Sequence, residues 1–147
     1  MAANQKQYVV FRIDNDEYGA DINKVTIIER MMTITRVPKT PPYIKGVINL
    51  RGEVLPVMDL RTRFGLPEKE ADDSTRIVMV DIGNNISYGI IVDAVVEVLQ
   101  VEDTAIESVT GFSGNINVDY ISGVAKSGER LITLLNLERL ISELIPA

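Results

Sequence analysis

Apolar and polar residues alternate along this chain in short runs broken by Gly, Pro, Asn and Asp, the pattern of strands joined by tight turns. Tyr8-Val9-Val10-Phe11-Arg12-Ile13 is β-branched and aromatic and predicts a strand. Asp14-Asn15-Asp16 is turn chemistry, and Glu17–Ile22 resumes extended structure. Val25–Met32 fits a strand through Ile27-Ile28 or a short helical turn near Ile22–Val25. Pro38, Pro41 and Pro42 stiffen the connection Thr35–Tyr43. Tyr43–Leu60 reads as a hairpin whose loop holds Gly52, with Pro56 placing its strand at an edge or a bulge because it lacks an amide donor. Asp59 caps a short helix, Leu60–Phe64, which Gly65 and Pro67 end.

Beyond the polar linker Glu68–Ser74 the pattern starts again. Strands are predicted at Arg76–Ile82, Ser87–Val92 and Val95–Val101, with Gly83-Asn84-Asn85 as a turn. Val109–Val118, rich in Gly, Ser and Asn, is expected to be a mobile loop. Ile121–Val124 and Leu131–Leu135 make a second hairpin. Asn136 caps a terminal helix with Leu137, Leu140, Ile141, Leu144 and Ile145 on one face.

The resumption is a repeat. With Tyr43–Phe64 set on Tyr120–Ile141, the pairs Tyr43/Tyr120, Ile44/Ile121, Gly46/Gly123, Val47/Val124 and Leu60/Leu137 are identical, and Asp59/Asn136 keep a capping type. Upstream, Tyr18-Gly19 matches Tyr88-Gly89, with Val25/Val95 and Ile28/Val98 in step. The copies part at Asn49-Leu50-Arg51-Gly52 against Lys126-Ser127-Gly128-Glu129. Shared pattern is structural, so the unshared turn is where a specific task is expected. Two lobes are expected, at about 8–66 and 75–136, followed by a helix at 137–146. Short strands with little helix predict small antiparallel barrels, which also remove exposed strand edges.

Composition narrows the function. The chain has 147 residues, 46% of them hydrophobic, and a net charge of −6. The acidic balance argues against nucleic acid and against anionic membrane. No apolar run approaches the roughly 18–20 residues of a membrane span, and Met1–Gln7 carries no signal core, so a cytosolic protein without membrane insertion is expected. The absence of Cys and His removes disulfides, thiol chemistry, the usual zinc ligands and the commonest general base. No metal or cofactor is expected.

The remaining motifs read as structure. Asp14–Gly19 resembles a calcium loop, but Tyr18 and Val25 stand where ligands belong. The carboxylate pairs Asp72-Asp73 and Glu102-Asp103 sit in polar segments, and Gly111-Phe112-Ser113-Gly114 lacks the lysine of a phosphate loop. Val25, Ile27 and Ile28 are more apolar than one buried face needs, so some of them should face outward as a sticky patch. Arg51, absent from the second copy, brings the planar donor fork common at interface hot spots.

The run Tyr43-Ile44-Lys45-Gly46-Val47-Ile48-Asn49-Leu50-Arg51-Gly52 with Val54-Leu55-Pro56-Val57-Met58-Asp59-Leu60-Arg61 closely resembles the signature of the CheW family of bacterial chemotaxis coupling proteins. Glu17–Val25 and Tyr88–Val95 look like its other segments, and the likeness spans about Tyr8 to Ile145. The resemblance implies a mostly β fold of two SH3-like five-stranded barrels. It also implies a non-enzymatic adaptor between the cytoplasmic tip of methyl-accepting chemoreceptors and the C-terminal regulatory domain of the histidine kinase CheA. Carried over residue by residue, it places the receptor tip near Val25, Ile27, Ile28 and Arg51, and the kinase on an apolar face of the second lobe with Ile77, Val78 and Gly89. Ile27 departs from the acid that many relatives carry there. The protein is expected to be monomeric when free and recruited to membrane-associated receptor arrays, where effective concentration lets contacts of about micromolar strength suffice. A coupling paralogue of another sensory array and a small-ligand β-barrel remain alternatives. A receiver-fused coupling protein is not expected, since no receiver domain follows Ala147.

Overall fold

The computed structural model describes residues 5–108 and 118–141. The expected loop at Val109–Val118 falls almost wholly outside these residues, as does the terminal helix beyond Ile141. Strands follow in the order β1 (Gln5–Ile13), β2 (Asp16–Asp21), β3 (Val25–Arg30), β4 (Ile44–Leu50) and β5 (Glu53–Asp59). A one-turn helix α1 (Leu60–Arg63) comes next, then β6 (Arg76–Asp81), β7 (Ser87–Val92), β8 (Ala94–Glu102), β9 (Ile106–Glu107), β10 (Ile121–Ser127), β11 (Arg130–Leu135) and α2 (Leu137–Leu140). Val25–Met32 is thus resolved in favour of a strand. The fold is mostly β, with one sheet of five strands and one of six.

The chain forms two compact units, Lys24–Val95 and Met1–Asn23 with Val96–Ala147. Consecutive lobes at 8–66 and 75–136, expected from the repeat, are not how the strands group. The five-stranded sheet runs β3-β6-β7-β5-β4, and the six-stranded sheet runs β8-β1-β2-β11-β10-β9. The hairpin β1–β2 of the first copy therefore completes the sheet of the second copy through the parallel pair β2–β11. Reciprocally, β6–β7 completes the first copy's sheet through the parallel pair β5–β7 and the antiparallel pair β3–β6.

Each sheet is closed by the chain that leaves its first strand. In the unit Lys24–Val95, Thr35 lies downstream of β3 and exchanges two backbone hydrogen bonds with Val47 of β4, at 2.9 and 2.8 Å. In the other unit, β8 passes through a 3-10 turn at Asp103–Ala105 into β9, which pairs with β10. The closing segment crosses β4 at Gly46 and β10 at Gly123, the same repeat position. A Cβ on Gly46 would lie 2.1 Å from the Thr35 carbonyl oxygen, and one on Gly123 would lie 3.0 Å from that of Glu107. Both hairpins also shift register at equivalent places, between Ile44 and Gly46 and between Ile121 and Gly123.

Pro56 is accommodated differently from the expected edge or bulge. Its strand β5 lies inside the sheet, and the register shift is elsewhere. Pro56 faces Val47, whose N–H and C=O both serve Thr35, so the ladder asks nothing of Pro56 there. Pairing with β7 begins one residue later, at Val57.

Separate apolar clusters fill the units. In the unit Lys24–Val95, Ile48, Val57, Ile77 and Met79 form such a cluster; in the other unit, Tyr8, Val10, Val101, Ala125, Ile132 and Leu134 do. The caps fall as expected: Asp59 accepts from the Arg61 amide at 3.0 Å, and Asn136 accepts from the Arg139 amide at 3.1 Å. No helix among the described residues is long and apolar enough to cross a membrane.

Candidate functional site

The turn between β4 and β5 consists of Arg51 and Gly52, with φ of 54° and 87°. Two successive left-handed residues make the turn whose twist suits a hairpin, and glycine or asparagine is its usual occupant. Asn49 accepts from the Gly52 amide at 3.1 Å and holds the turn. At the position of Arg51 the second copy has Gly128, with φ of 62°. The first copy therefore places a long cationic side chain where left-handed backbone disfavours any Cβ by about 1–2 kcal/mol.

Arg51 stands on the rim of a shallow depression of about 270 Å³ lined also by Thr26, Ile27, Leu50, Glu53, Leu55, Met79 and Ser87. Ile27, Leu50 and Leu55 are half-buried and pack on the Ile48–Val57–Ile77–Met79 cluster, so the floor is apolar. Thr26 donates its hydroxyl to the Met79 carbonyl at 3.3 Å and fixes that edge of β3. Among the described residues no hydrogen bond or ion pair engages the Arg51 guanidinium. Such a surface can hold an apolar side chain while offering one neighbouring acid a charge-assisted bond.

The expected receptor residues are partly brought together. Ile27 and Arg51 share the depression. Val25 is half-buried beside Val80, and Ile28 is 39% exposed, its side chain alternating away from that of Ile27 along β3. Ile28 is thus the outward member of the apolar run. The expected kinase residues are interior: Ile77 and Val78 are 0% exposed. Gly89 is buried where an added Cβ would lie 2.7 Å from Ile77 Cγ2. Their side chains offer no surface in this structure, because β6 and β7 are covered on both faces.

Residue-by-residue reading missed Thr26, Leu50, Glu53, Leu55, Met79 and Ser87. The repeat held a signal for two of them. At the positions of Ser87, Glu53 and Ile27, the second copy's unit has Glu17, Arg130 and Glu97. There Arg130 donates from Nε and Nη2 to the two oxygens of Glu17, both at 2.9 Å, and from Nη1 to Glu97 at 2.9 Å. These bonds hold the Arg130 pKa above its ordinary value. The corresponding place is thereby bridged by salt links.

A larger concavity of about 420 Å³ in the unit Lys24–Val95 is lined by Arg36, Lys39, Thr40, Lys45 and Glu68 together with prolines. It is polar, and Glu68 already neutralises Lys45 at 2.8 Å. Among the described residues no group of three or more Cys, His, Asp or Glu is placed to hold a metal ion.

Comparison with known proteins gives one answer. The CheW-like domain family model matches residues 7–144. Chemotaxis protein CheW of Bacillus subtilis is 37% identical over 94% of this chain and 88% of that protein. Its namesake in Klebsiella aerogenes is 35% identical over 93% and 82%. The crystal structure of the scaffolding protein TtCheW from Thermoanaerobacter tengcongensis superposes with a TM-score of 0.85 at 35% identity, covering 95% of this chain and 89% of that one. The family model, these relatives and the solved structure agree: the chain belongs to the CheW family of chemotaxis scaffold proteins.

Proposed function

We propose that this scaffold couples methyl-accepting chemoreceptors to the histidine kinase CheA, and that the receptor tip docks at the depression of Ile27 and Arg51, flanked by Val25 and Ile28. The observation that carries the reading is Arg51 itself. A costly left-handed arginine replaces the glycine of the other copy at the rim of an apolar, half-covered floor. Strain kept in one copy alone points to use, since the hairpin needs only a glycine there.

The role requires binding surfaces and no catalytic group, which agrees with a chain lacking His and Cys. It places the protein in the cytoplasm, held at membrane-associated arrays by its two partners. Ile77, Val78 and Gly89 would serve the kinase contact only by supporting the unit from within. The contact surface itself is to be sought on exposed residues.

Titration calorimetry with a chemoreceptor cytoplasmic fragment and with the CheA regulatory domain tests the proposal. Both should bind, and together. Arg51→Glu should lose at least about tenfold in receptor affinity, roughly 1.4 kcal/mol, with kinase binding and melting unchanged. A wild-type chain that binds neither partner would sink the coupling role. An Arg51→Glu variant with normal receptor affinity would sink the site.

A further inference from the structure

The open depression and the salt-bridged place of the other unit are the same element of the repeat in two states. Their floors agree: Leu55 and Met79 correspond to Ile132 and Val10, since Met79 pairs with Gly89 as Val10 pairs with Gly19, and all are apolar. Their covers do not. In one unit Arg130 clasps Glu17 and Glu97, and Ile132 beneath is 1% exposed. In the other unit each member of the clasp is replaced. Ser87 is too short to reach across, Glu53 reverses the sign of the arginine, and Ile27 has no acceptor. Leu55 is left half-buried.

We infer that residues 27, 53 and 87, rather than the apolar floor, decide which unit docks a partner, and that Glu53 and Ser87 are specificity-determining residues of the groove. The clasp is an intramolecular occupant. Where it is missing, the vacated volume admits an apolar side chain of the partner, with an adjacent acid facing Arg51. The inference rests on the reading that this depression is the receptor-docking site. It extends that reading by explaining why the equivalent surface of the other unit does not compete.

The test is to transplant the clasp. Ile27→Glu, Glu53→Arg and Ser87→Glu together should rebuild the three charge-assisted bonds across the groove. The variant should melt no lower than wild type, bind the CheA regulatory domain normally and lose at least about tenfold in affinity for a chemoreceptor cytoplasmic fragment. Ser87→Phe, which fills the groove without any salt bridge, should lose the same binding and covers the case in which the triple variant misfolds. Either folded variant binding the fragment within about twofold of wild type overturns the inference. If wild type binds, Arg51→Glu does not, and the clasp variants still do, the inference alone falls. If wild type fails to bind, the docking reading falls and takes the inference with it.

Discussion

Arg61 grips Asp93 through two parallel hydrogen bonds, Nε to Oδ1 at 3.0 Å and Nη2 to Oδ2 at 2.7 Å. Its remaining Nη1 donates to the Pro67 carbonyl at 3.1 Å. One guanidinium thus ties α1 to the end of β7 and to the linker that follows the helix. The pair has little solvent access, with side chains 8% and 14% exposed. Glu138 and Asn23 stand at the equivalent positions, so the second copy has no such fork.

Breaking this fork should leave the Asp93 carboxylate without its two-pronged partner, with Lys69 at 4.0 Å a weaker counter-ion. Arg61→Ala is expected to destabilise the fold by about 3–5 kcal/mol in urea unfolding. The double variant Arg61→Met/Asp93→Leu removes both charges and should recover most of that loss. A single variant within about 1 kcal/mol of wild type would show that the fork is solvated in solution.

Gly46 and Gly123 share a repeat position but not a penalty. Alanine at Gly46 puts a Cβ 2.1 Å from a backbone oxygen at φ of 150°, and neither neighbour is a flexible chain end. Gly46→Ala should cost at least about 3 kcal/mol or prevent folding. Gly123→Ala meets the Glu107 oxygen at 3.0 Å, which a small shift relieves, and should cost about 1 kcal/mol. Thermal melts of the two variants give the order directly.

Arg51→Gly separates stability from function. It removes the Cβ from a left-handed position, so the melting midpoint should rise, by a gain of about 1 kcal/mol. Affinity for a chemoreceptor fragment should fall. A variant that is both less stable and fully competent to bind would contradict the account of strain kept for recognition.

Alkaline pH probes the other unit. Tyr18 stacks on Phe11 with centroids 6.3 Å apart and is 2% exposed. Burial, followed by the nearby carboxylates of Asp16 and Asp14, pushes its pKa up to about 12. Burial and the carboxylates of Asp21 and Asp103 raise Tyr8 as well. A raised folded pKa gives stability that is fully present below the unfolded value near 10 and lost as pH climbs towards 12. Unfolding free energy should therefore fall above about pH 10, by up to about 1.4 kcal/mol per pH unit for Tyr18. Tyr18→Phe should flatten that slope, as a pH series of denaturant melts would show.

Most local structure was legible in the residues. Alternation and β-branching marked the strands, Asp59 and Asn136 marked the helix starts, and Asp14, Gly52 and Gly83-Asn84-Asn85 marked turns, because each is decided within a few residues. The repeat was legible too, and with it the unshared turn that carries Arg51. The site was half legible. Ile27 and Arg51 were named, whereas Ser87 and Glu53 gain meaning only beside Glu17 and Arg130 in folded strands.

What the sequence determined by itself is therefore the set of strands, their turns and caps, the doubling of the pattern and the family. Tertiary structure alone decided which strands share a sheet, since the ladders β2–β11 and β5–β7 join residues far apart in the chain and carry no local signature. It also decided that Ile77, Val78 and Gly89 lie inside. A continuous apolar strand has no periodicity to say which face is covered, so only the packing of its neighbours assigns it to core or surface.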